Sequence, residues 1–498
     1  MAKKLKLKKS FLGVYSTGAD EKVVGELKLN GAKTLLSLHS DNHLITFEKA
    51  DTIQGLGYGG ERLTLVDCRG AGSSTTYFSS EKQGHRTDIF PHYVIKGTEF
   101  LDPESEVVSA IHFTTNDLFH LFHDFDAFGH VIDSNTVIDA VLQGRRQSRQ
   151  IEVGNNPQVF YYTGKSCITE VDTAIGKISV HHRPTHGLGG PQGVSIENKI
   201  VVSIEPMAPV SFSVAMSQVY KIANFLSVMA GRVQGINDVE ITIGKSIAGF
   251  PTVLEVYESY RWKGKDKIDG HKPAVGDVPL DPVRRRAEFE TVLRTWIEKH
   301  ERWQRARVRN LVCLGKSNKY NVDRLVAAAN MFDLLPEDAV PMKSTPDIEF
   351  SDTIAEFRVK LRRHSDSIDR NSVLNALGRI GKPSLPKKVS HRVSIIDKEM
   401  AAVFPELDFV ANVAVKIRNY YVHGSAGDLD FEKVEPYVPF LTDTLEFVFS
   451  ASDLIESGWN AKAWSENHYG WGHSYTRFRV NYLEFLQELR EAAKKKSS

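Results

Sequence analysis

Three residues at the end of one apolar segment have the types and the spacing to act on a phosphodiester bond. They are Arg418, Asn419 and His423, in the stretch FVANVAVKIRNYYVHG that ends at Gly424. A histidine exchanges a proton near neutral pH, and an arginine keeps its charge while it binds two phosphate oxygens. Together these groups suit the transesterification of RNA, in which the 2′-hydroxyl attacks the adjacent phosphorus and the 5′-oxygen leaves protonated. The three residues are therefore the candidate catalytic set.

The segment that carries this set is predicted to be a helix, because apolar residues recur along it every four positions. They are Phe409, Val413, Ile417 and Tyr421. Asn419 and His423 are four residues apart, so they share one face of the helix. Arg418 comes five residues before His423, which separates the two by roughly 140° around the helix axis. Only a side chain as long as arginine can then reach a phosphate that is held near the histidine.

The same chemistry predicts two copies of the chain. One histidine cannot readily serve as base and as acid in one reaction, whereas two such helix ends would supply two histidines and two arginines. A two-fold contact is the commonest way to bring identical surfaces together. We therefore expect a homodimer or a higher homo-oligomer with a composite site.

Composition sets broader limits. The chain has 498 residues, of which 41% are apolar and 25% charged, and its net charge is +1. That length fits two or three domains, and the near-neutral charge leaves any contact with nucleic acid to local clusters. Three scattered cysteines (Cys68, Cys167 and Cys313) and the lack of a long apolar run predict a cytoplasmic protein without a membrane span. We expect no metal or cofactor, because the residues from His120 to His130 match no metal-site spacing.

Two textures divide the chain and predict an α+β fold. Short runs rich in Leu, Val, Ile and Thr, from about residue 11 to 204, indicate a β-rich domain resembling a sandwich or a barrel. Gly, Pro and charged residues then mark a linker over 264–282, and helical periodicity prevails after it. We predict a β-rich sensor or regulatory domain over 1–270, a linker and basic connecting helix over 271–310, and a helical-bundle nuclease domain over 311–498.

Two basic stretches are candidate contacts with RNA. Ten basic residues lie between 358 and 392, against only Asp366 and Asp369, so this stretch is a candidate polyanion surface that extends to Arg392. The predicted RNA-binding residues in it are Arg358, Lys360, Arg362 and Arg363. A predicted helix over 283–309 is rich in arginine, including Arg307, and is either a solvated face or a second RNA contact.

Two further helices follow from local patterns. Thr353 and Glu356 have the spacing of a capping box, and the helix that they would begin is predicted to bury Ile354, Phe357 and Leu361. The segment 438–458, VPFLTDTLEFVFSASDLIESG, is predicted to be an apolar helix that ends at Gly458 and suits the centre of a bundle.

The C-terminal half resembles the HEPN superfamily of helical-bundle ribonucleases. The resemblance is carried by VDRLVAAANMF, AVKIRNYYVHG and FLTDTLEFVFSASDLI, and Arg418, Asn419 and His423 match the family's motif. The full chain is similar to the ApeA family of anti-phage defence proteins, through FLGVYSTG, VVGELKLNG and LTLVDC in the first half. The resemblance implies a dimeric, metal-independent endoribonuclease that damages host RNA, with tRNA among its candidate substrates. It also implies a phage-derived trigger that acts on the N-terminal domain.

The resemblance to HEPN nucleases also implies supporting residues. These enzymes often carry an acidic or polar residue on the first bundle helix, and the candidate helpers here are Asn330 and Asp333. Where relatives have Glu, Asn330 cannot act as a base. Tyr420 and Tyr421 occupy variable positions of the motif, and we expect one to pack and the other to stack on an RNA base.

Two other functions are compatible with the sequence. One is a HEPN bundle that does not cleave and serves as a scaffold for dimerisation and RNA binding, beside a ligand-binding β domain. The other is a β-sandwich that binds a carbohydrate or another ligand, with a helical partner domain. The intact set of Arg418, Asn419 and His423 favours the nuclease over the scaffold, and residues 11–250 lack the aromatic platform that a carbohydrate site needs.

Overall fold

A computed structural model describes residues 10–16, 22–45, 49–79, 83–191, 193–245, 249–260, 272–316, 319–342, 347–424, 429–467 and 470–494. Residues 264–271 of the predicted linker 264–282 lie outside these ranges. By their contacts the residues fall into two units. The first comprises residues up to Ala230 together with Gln234–Arg294, and the second comprises Gly231–Val233 and residues from Thr295 onward. The domain boundaries at 270 and 310 stay a prediction.

The first unit contains the strands. Within the described residues they are β1 (Ser10–Ser16), β2 (Lys22–Lys28), β3 (Leu35–Ser40), β4 (Lys49–Gly57), β5 (Arg62–Tyr77), β6 (Gln83–Gly97), β7 (Val108–Thr115), β8 (Phe128–His130), β9 (Phe160–Tyr162), β10 (Cys167–Thr173), β11 (Gly176–His182), β12 (Thr185–Leu188), β13 (Val194–Glu197), β14 (Ile200–Glu205), β15 (Ile236–Lys245) and β16 (Pro251–Glu258). The helices are α1 (Leu118–Leu121), α2 (Ile138–Arg146) and α3 (Phe212–Ala230).

Six strands close into a barrel, in the order β6-β3-β2-β1-β4-β5, with β5 paired back to β6. Alternate residues of β1 point into the barrel, where Phe11 and Tyr15 are buried with Leu27 and Leu36. Gly55 is required beside Tyr15, because a Cβ atom on Gly55 would lie 2.4 Å from the Tyr15 ring. The sequence predicted a sandwich-like or barrel-like domain, and these six strands of the first unit form a barrel.

Strand β6 also continues into an open sheet, in the order β10-β11-β14-β7-β15-β16-β6. Helix α3 covers one face of this sheet, where Ile222, Phe225 and Leu226 lie around a small void with Val180 and Val202. Buried and exposed residues alternate along β16, as is typical of an antiparallel strand with one covered face, whereas β14 is buried along almost its whole length.

The second unit is helical. Its described helices are α4 (Arg286–Leu314), which begins in the first unit, α5 (Val322–Asp333), α6 (Ile348–Arg362), α7 (Ile368–Leu377), α8 (Leu385–Met400), α9 (Leu407–His423), α10 (Phe431–Val434), α11 (Val438–Glu456), α12 (Ala461–Asn467) and α13 (Ser474–Ala492). Helices α5, α8, α9 and α11 pack on one another, and most of α11 is buried, as predicted for a central helix. The β-rich first unit and the helical second unit confirm the α+β fold class.

None of the helices in the described ranges combines the length and the apolar character that a membrane crossing requires.

Helix α6 differs from its prediction at both its start and its buried face. It begins at Ile348, and its N-cap is Asp347, whose side chain accepts the Phe350 N–H at 2.7 Å. The prediction that Phe357 is buried is wrong, since this residue is 53% exposed. The reason is that α6 packs mainly on the short helix α7, which covers Ile354 and Leu361 only in part.

Two arginines from the basic stretches lie in the core. The prediction that Arg392 belongs to a polyanion surface is therefore wrong, and Arg307 lies neither on a solvated face nor at an RNA contact. Arg307 is 1% exposed and donates Nε and Nη2 to the two carboxylate oxygens of Asp453, at 2.8 and 2.9 Å. Arg392 is fully buried and donates Nε to Ser452 and Nη1 to Glu456. Each charge is compensated inside the bundle, where no nucleic acid can reach it.

Candidate active site

The three catalytic candidates lie on the last two turns of α9. Burial of Val410, Val413 and Ile417 fixes the orientation of this helix in the bundle. The helix ends at His423 because Gly424 adopts a left-handed conformation, with a φ of +71°, and donates its N–H to the Tyr420 carbonyl at 2.7 Å. The predicted helix and its end are confirmed.

Two amide oxygens hold the guanidinium of Arg418. Its Nη2 donates to Oδ1 of Asn330 on α5 at 2.9 Å, and its Nη1 donates to Oδ1 of Asn419 at 3.0 Å. Arg418 is half-buried, and its Nε is buried without a hydrogen-bond partner among the described residues. Two of the five N–H donors of the guanidinium thus orient the group through neutral amide oxygens.

His423 is the last residue of α9, and it is exposed. It lies one turn beyond Asn419 on the same face of the helix. Its imidazole is therefore accessible to a substrate or to a second copy of the chain. The structure brings Arg418, Asn419 and Asn330 together through hydrogen bonds and leaves His423 at the solvent-facing end of the group.

The two predicted helper residues behave differently. Asn330 binds Arg418 directly, whereas Asp333, in the last turn of the same helix, forms an ion pair with Lys388 of α8 at 3.0 Å. This ion pair connects α5 to α8. The structure therefore joins Asn330 to the catalytic candidates and does not join Asp333 to them.

Both tyrosines of the motif pack on Phe431, the first residue of α10. The Tyr420 ring stacks on it with centroids 4.0 Å apart, and the Tyr421 ring meets it edge-on at 5.1 Å. Burial, with the Glu435 carboxylate nearby, raises the pKa of Tyr421. Phe431 could not be singled out from the sequence, since no spacing rule links it to a helix that ends eight residues earlier.

The four predicted RNA-binding residues on α6 and at its end differ in how far they are exposed. Arg358 is half-buried and donates to the Leu377 carbonyl at 3.1 Å, and Lys360 lies 4.0 Å from Glu356. Arg362 and Arg363 are exposed at the end of the helix. The two terminal arginines are thus the most open to a ligand.

No cluster of three or more His, Cys, Asp or Glu side chains capable of holding a metal ion occurs in the part of the chain that the structure describes. What the residues at the end of α9 offer is a fixed positive charge, amide groups and a titratable imidazole.

Comparison with known protein families gives two matches along the chain. The model of the ApeA N-terminal domain 1 matches residues 10–296, and the model of the Apea-like HEPN domain matches residues 326–463. No curated protein and no solved structure matches the chain. The first match alone covers more than half of the 498 residues, and the second contains Asn330 and all three catalytic candidates. The chain therefore belongs to the ApeA family, with an ApeA N-terminal domain followed by an Apea-like HEPN domain.

Proposed function

We propose that this protein is an endoribonuclease of an anti-phage defence system and that it cleaves RNA through Arg418 and His423, without the need for a metal. Its cleavage of host RNA would halt an infected cell, in the manner of abortive infection. The first unit would respond to a phage-derived trigger, and the HEPN domain would cut. Transfer RNA is one candidate substrate.

The observation that carries the proposal is the way in which Arg418 is held. Asn330 and Asn419 fix its guanidinium through neutral oxygens, at 2.9 and 3.0 Å. A carboxylate in either place would have offset part of the charge, whereas an amide oxygen orients the group and leaves the whole charge for an anion. A phosphate that gains negative charge during the reaction is such an anion.

In the proposed reaction, one imidazole takes the proton from the 2′-hydroxyl, and the 2′-oxygen forms a bond to the adjacent phosphorus. The bond from phosphorus to the 5′-oxygen breaks, and a second imidazole gives that oxygen a proton. The products are a 2′,3′-cyclic phosphate and a 5′-hydroxyl. Arg418 stabilises the negative charge that accumulates on the phosphoryl oxygens between these steps.

Two imidazoles are available when two copies of α9 meet at their ends. His423 is exposed, which such a contact requires. We therefore propose a composite site in a homodimer, in which each copy contributes Arg418 and His423. Arg362 and Arg363, at the exposed end of α6, would bind the RNA backbone, because Arg358 already donates to the Leu377 carbonyl and Lys360 lies near Glu356. Tyr420 and Tyr421 would contact a base or position the helix end.

The experiment that tests this proposal compares the wild type with His423→Ala on total RNA in EDTA. We expect the variant to lose cleavage by about 10²–10⁴-fold, the usual contribution of an acid–base group. His186→Ala is a matched control, because His186 is exposed and belongs to the first unit. Analysis of the RNA ends should show cyclic phosphates for the wild type and for the control.

Three other results would each contradict part of the proposal. Cleavage that survives His423→Ala would show that the site is elsewhere. Intact RNA with both proteins, while both remain dimeric, would support the non-cleaving scaffold instead. Cleavage in the test tube without protection of cells from phage would separate the nuclease from the proposed role in defence.

A further inference from the structure

The hairpin of α6 and α7 is sparsely covered by the rest of the second unit, and we call residues 348–377 the arm. None of the ten residues of α7, all of which the structure describes, is buried. On α6, Phe350 is 48% exposed and Phe357 is 53% exposed. Two exposed phenylalanines on one helix make this face a candidate contact surface.

The two phenylalanines form one apolar edge. They are seven residues apart, so they lie within roughly 20° of each other around the helix axis. Together with Ile354 and Leu361 they have the alternating spacing of four and three residues that characterises a coiled-coil seam. Ile354 and Leu361 are half-buried, so the seam is covered on one side and open on the other.

The charges of α6 are arranged so that the helix complements a reversed copy of itself. Its acids, Glu349, Asp352 and Glu356, occupy the first part, and its basic residues follow from Arg358 onward. Glu349 and Lys360 are eleven residues apart, which places them on the same side of the helix, three turns from each other. A parallel copy would set like charges side by side, whereas an antiparallel copy sets acid against base.

We infer that α6 pairs in an antiparallel manner with α6 of a second copy of the chain, across a two-fold axis. In such a contact, when residue i meets residue j of the other copy, j also meets i. If Phe350 lies opposite Phe357 of the second copy, the axis passes between Thr353 and Ile354. Glu349 of each copy then comes within reach of Lys360 of the other. The inference rests on the proposed assembly of two copies and names the surface that holds them.

The arm would form only part of the interface between the two copies. A helix of 15 residues covers much less than the about 800 Å² per partner that a stable interface buries. The remainder would come from the bundle around the ends of α9. Arg362 and Arg363 lie roughly 120–140° from the phenylalanine edge, so they stay open to RNA, whereas Lys360 belongs to the pairing surface.

The test is a charge swap in the full chain, with the dissociation constant of the dimer measured by analytical ultracentrifugation without RNA. Lys360→Glu and Glu349→Lys each set like charges together and should raise that constant about fivefold. The double variant with both substitutions should restore the wild-type value. Phe357→Ser should raise the constant about thirtyfold, because each dimer loses two buried rings. Ile368→Ser, at an 88% exposed position of α7, is the control that should change nothing.

Restoration by the double variant also shows that the single variants did not lose association through misfolding. Unchanged sedimentation of Phe357→Ser and of both single charge variants would overturn the inference. So would a Lys360→Glu variant that binds RNA more weakly but dimerises normally, since the arm would then be an RNA surface. A wild type that is monomeric at all concentrations would contradict the two-copy site as well, whereas a dimer indifferent to the arm would leave that site standing.

Discussion

The arginines in the core of the second unit and the arginine at the end of α9 are held by different chemistry. Arg307 binds Asp453 through two nitrogens, and Arg324 binds Glu446 in the same way. Both of these arginines are almost completely buried. Arg418 is half-buried, and its hydrogen bonds go to the amide oxygens of Asn330 and Asn419.

We interpret the difference as one between a structural arginine and an arginine that is available to a ligand. A guanidinium that binds a carboxylate through two nitrogens has its charge compensated and its paired donors occupied. Removal of such an arginine leaves an unpaired acid in the core. A guanidinium held by amides is oriented but remains a cation. Partial burial makes that cation costly to leave without an anion, so the end of α9 is suited to receive one.

The largest effect that this comparison predicts is on stability. Arg307→Ala should lower the free energy of unfolding by about 3–5 kcal/mol, because Asp453, at 3% exposed, is left with an uncompensated charge. The guanidinium also lies 3.8 Å from the Trp296 ring centre, and that contact is lost too. Urea denaturation followed by circular dichroism measures the change.

Arg305→Ala is the matched control for Arg307→Ala, since it removes an exposed arginine two residues away on the same helix. It should change the free energy of unfolding by less than about 0.5 kcal/mol. Equal losses from the two substitutions would show that the buried ion pair is not what stabilises the bundle.

Arg418→Ala, unlike Arg307→Ala, should reduce RNA cleavage strongly and lower the free energy of unfolding only slightly. Loss of one group that stabilises the developing charge typically reduces the rate about 10²–10³-fold. Arg418→Lys should recover part of the rate, because a lysine keeps the charge but not the planar fork. Single-turnover cleavage of RNA is the measurement. An unfolding energy that falls as far as that of Arg307→Ala would instead make Arg418 structural.

Asn330→Asp replaces one of the two amides that hold Arg418 with a carboxylate. The new acid should pair with Arg418 and reduce cleavage about tenfold, while the free energy of unfolding rises by about 0.5–1 kcal/mol. Asn330→Ala, which removes the contact without adding charge, should reduce cleavage without the gain in stability. An Asn330→Asp variant that cleaves faster than the wild type would mean that an acid at this position works as a base.

The end of α9 could be predicted well from the sequence because its determinants are local. The four-residue spacing from Phe409 to Tyr421 and the following Gly424 specify both the helix and its end. Closure of the barrel could not be predicted in the same way. Alternation tells which face of a strand is buried, but not which strands are neighbours, and the pairing of β3 with β6 joins residues about fifty positions apart.

Arginines were the least predictable part of the site. Counting charges along 358–392 placed Arg392 and Arg363 in one surface, although the first is fully buried and the second is exposed. Burial depends on partners such as Glu456, which lies 64 residues further along the chain. The contact between Asn330 and Arg418 spans 88 residues, and only the resemblance to a family pointed to Asn330 as a candidate helper.

Asp443 is a carboxylate beside an arginine that another acid already binds. Asp443 lies 3.7 Å from Arg324, whose guanidinium is engaged by Glu446, and it accepts a hydrogen bond from Tyr320 at 2.8 Å. Burial and the neighbouring Glu446 charge raise the pKa of Asp443 to about 7. The charged form of Asp443 is therefore disfavoured in the folded protein.

A raised pKa stabilises the fold only where the group is protonated, so this contribution is lost as the pH rises. The unfolded carboxyl titrates near pH ~4. Between about pH 4 and pH 7, Asp443→Asn should therefore gain stability relative to the wild type, and the difference should level off above that range. We expect about 1 kcal/mol, because the Asp443 side chain is 37% exposed and solvent screens its charge. Thermal unfolding of both proteins from pH 4.5 to pH 8 measures it, and a difference independent of pH would show that Asp443 is already ionised in the fold.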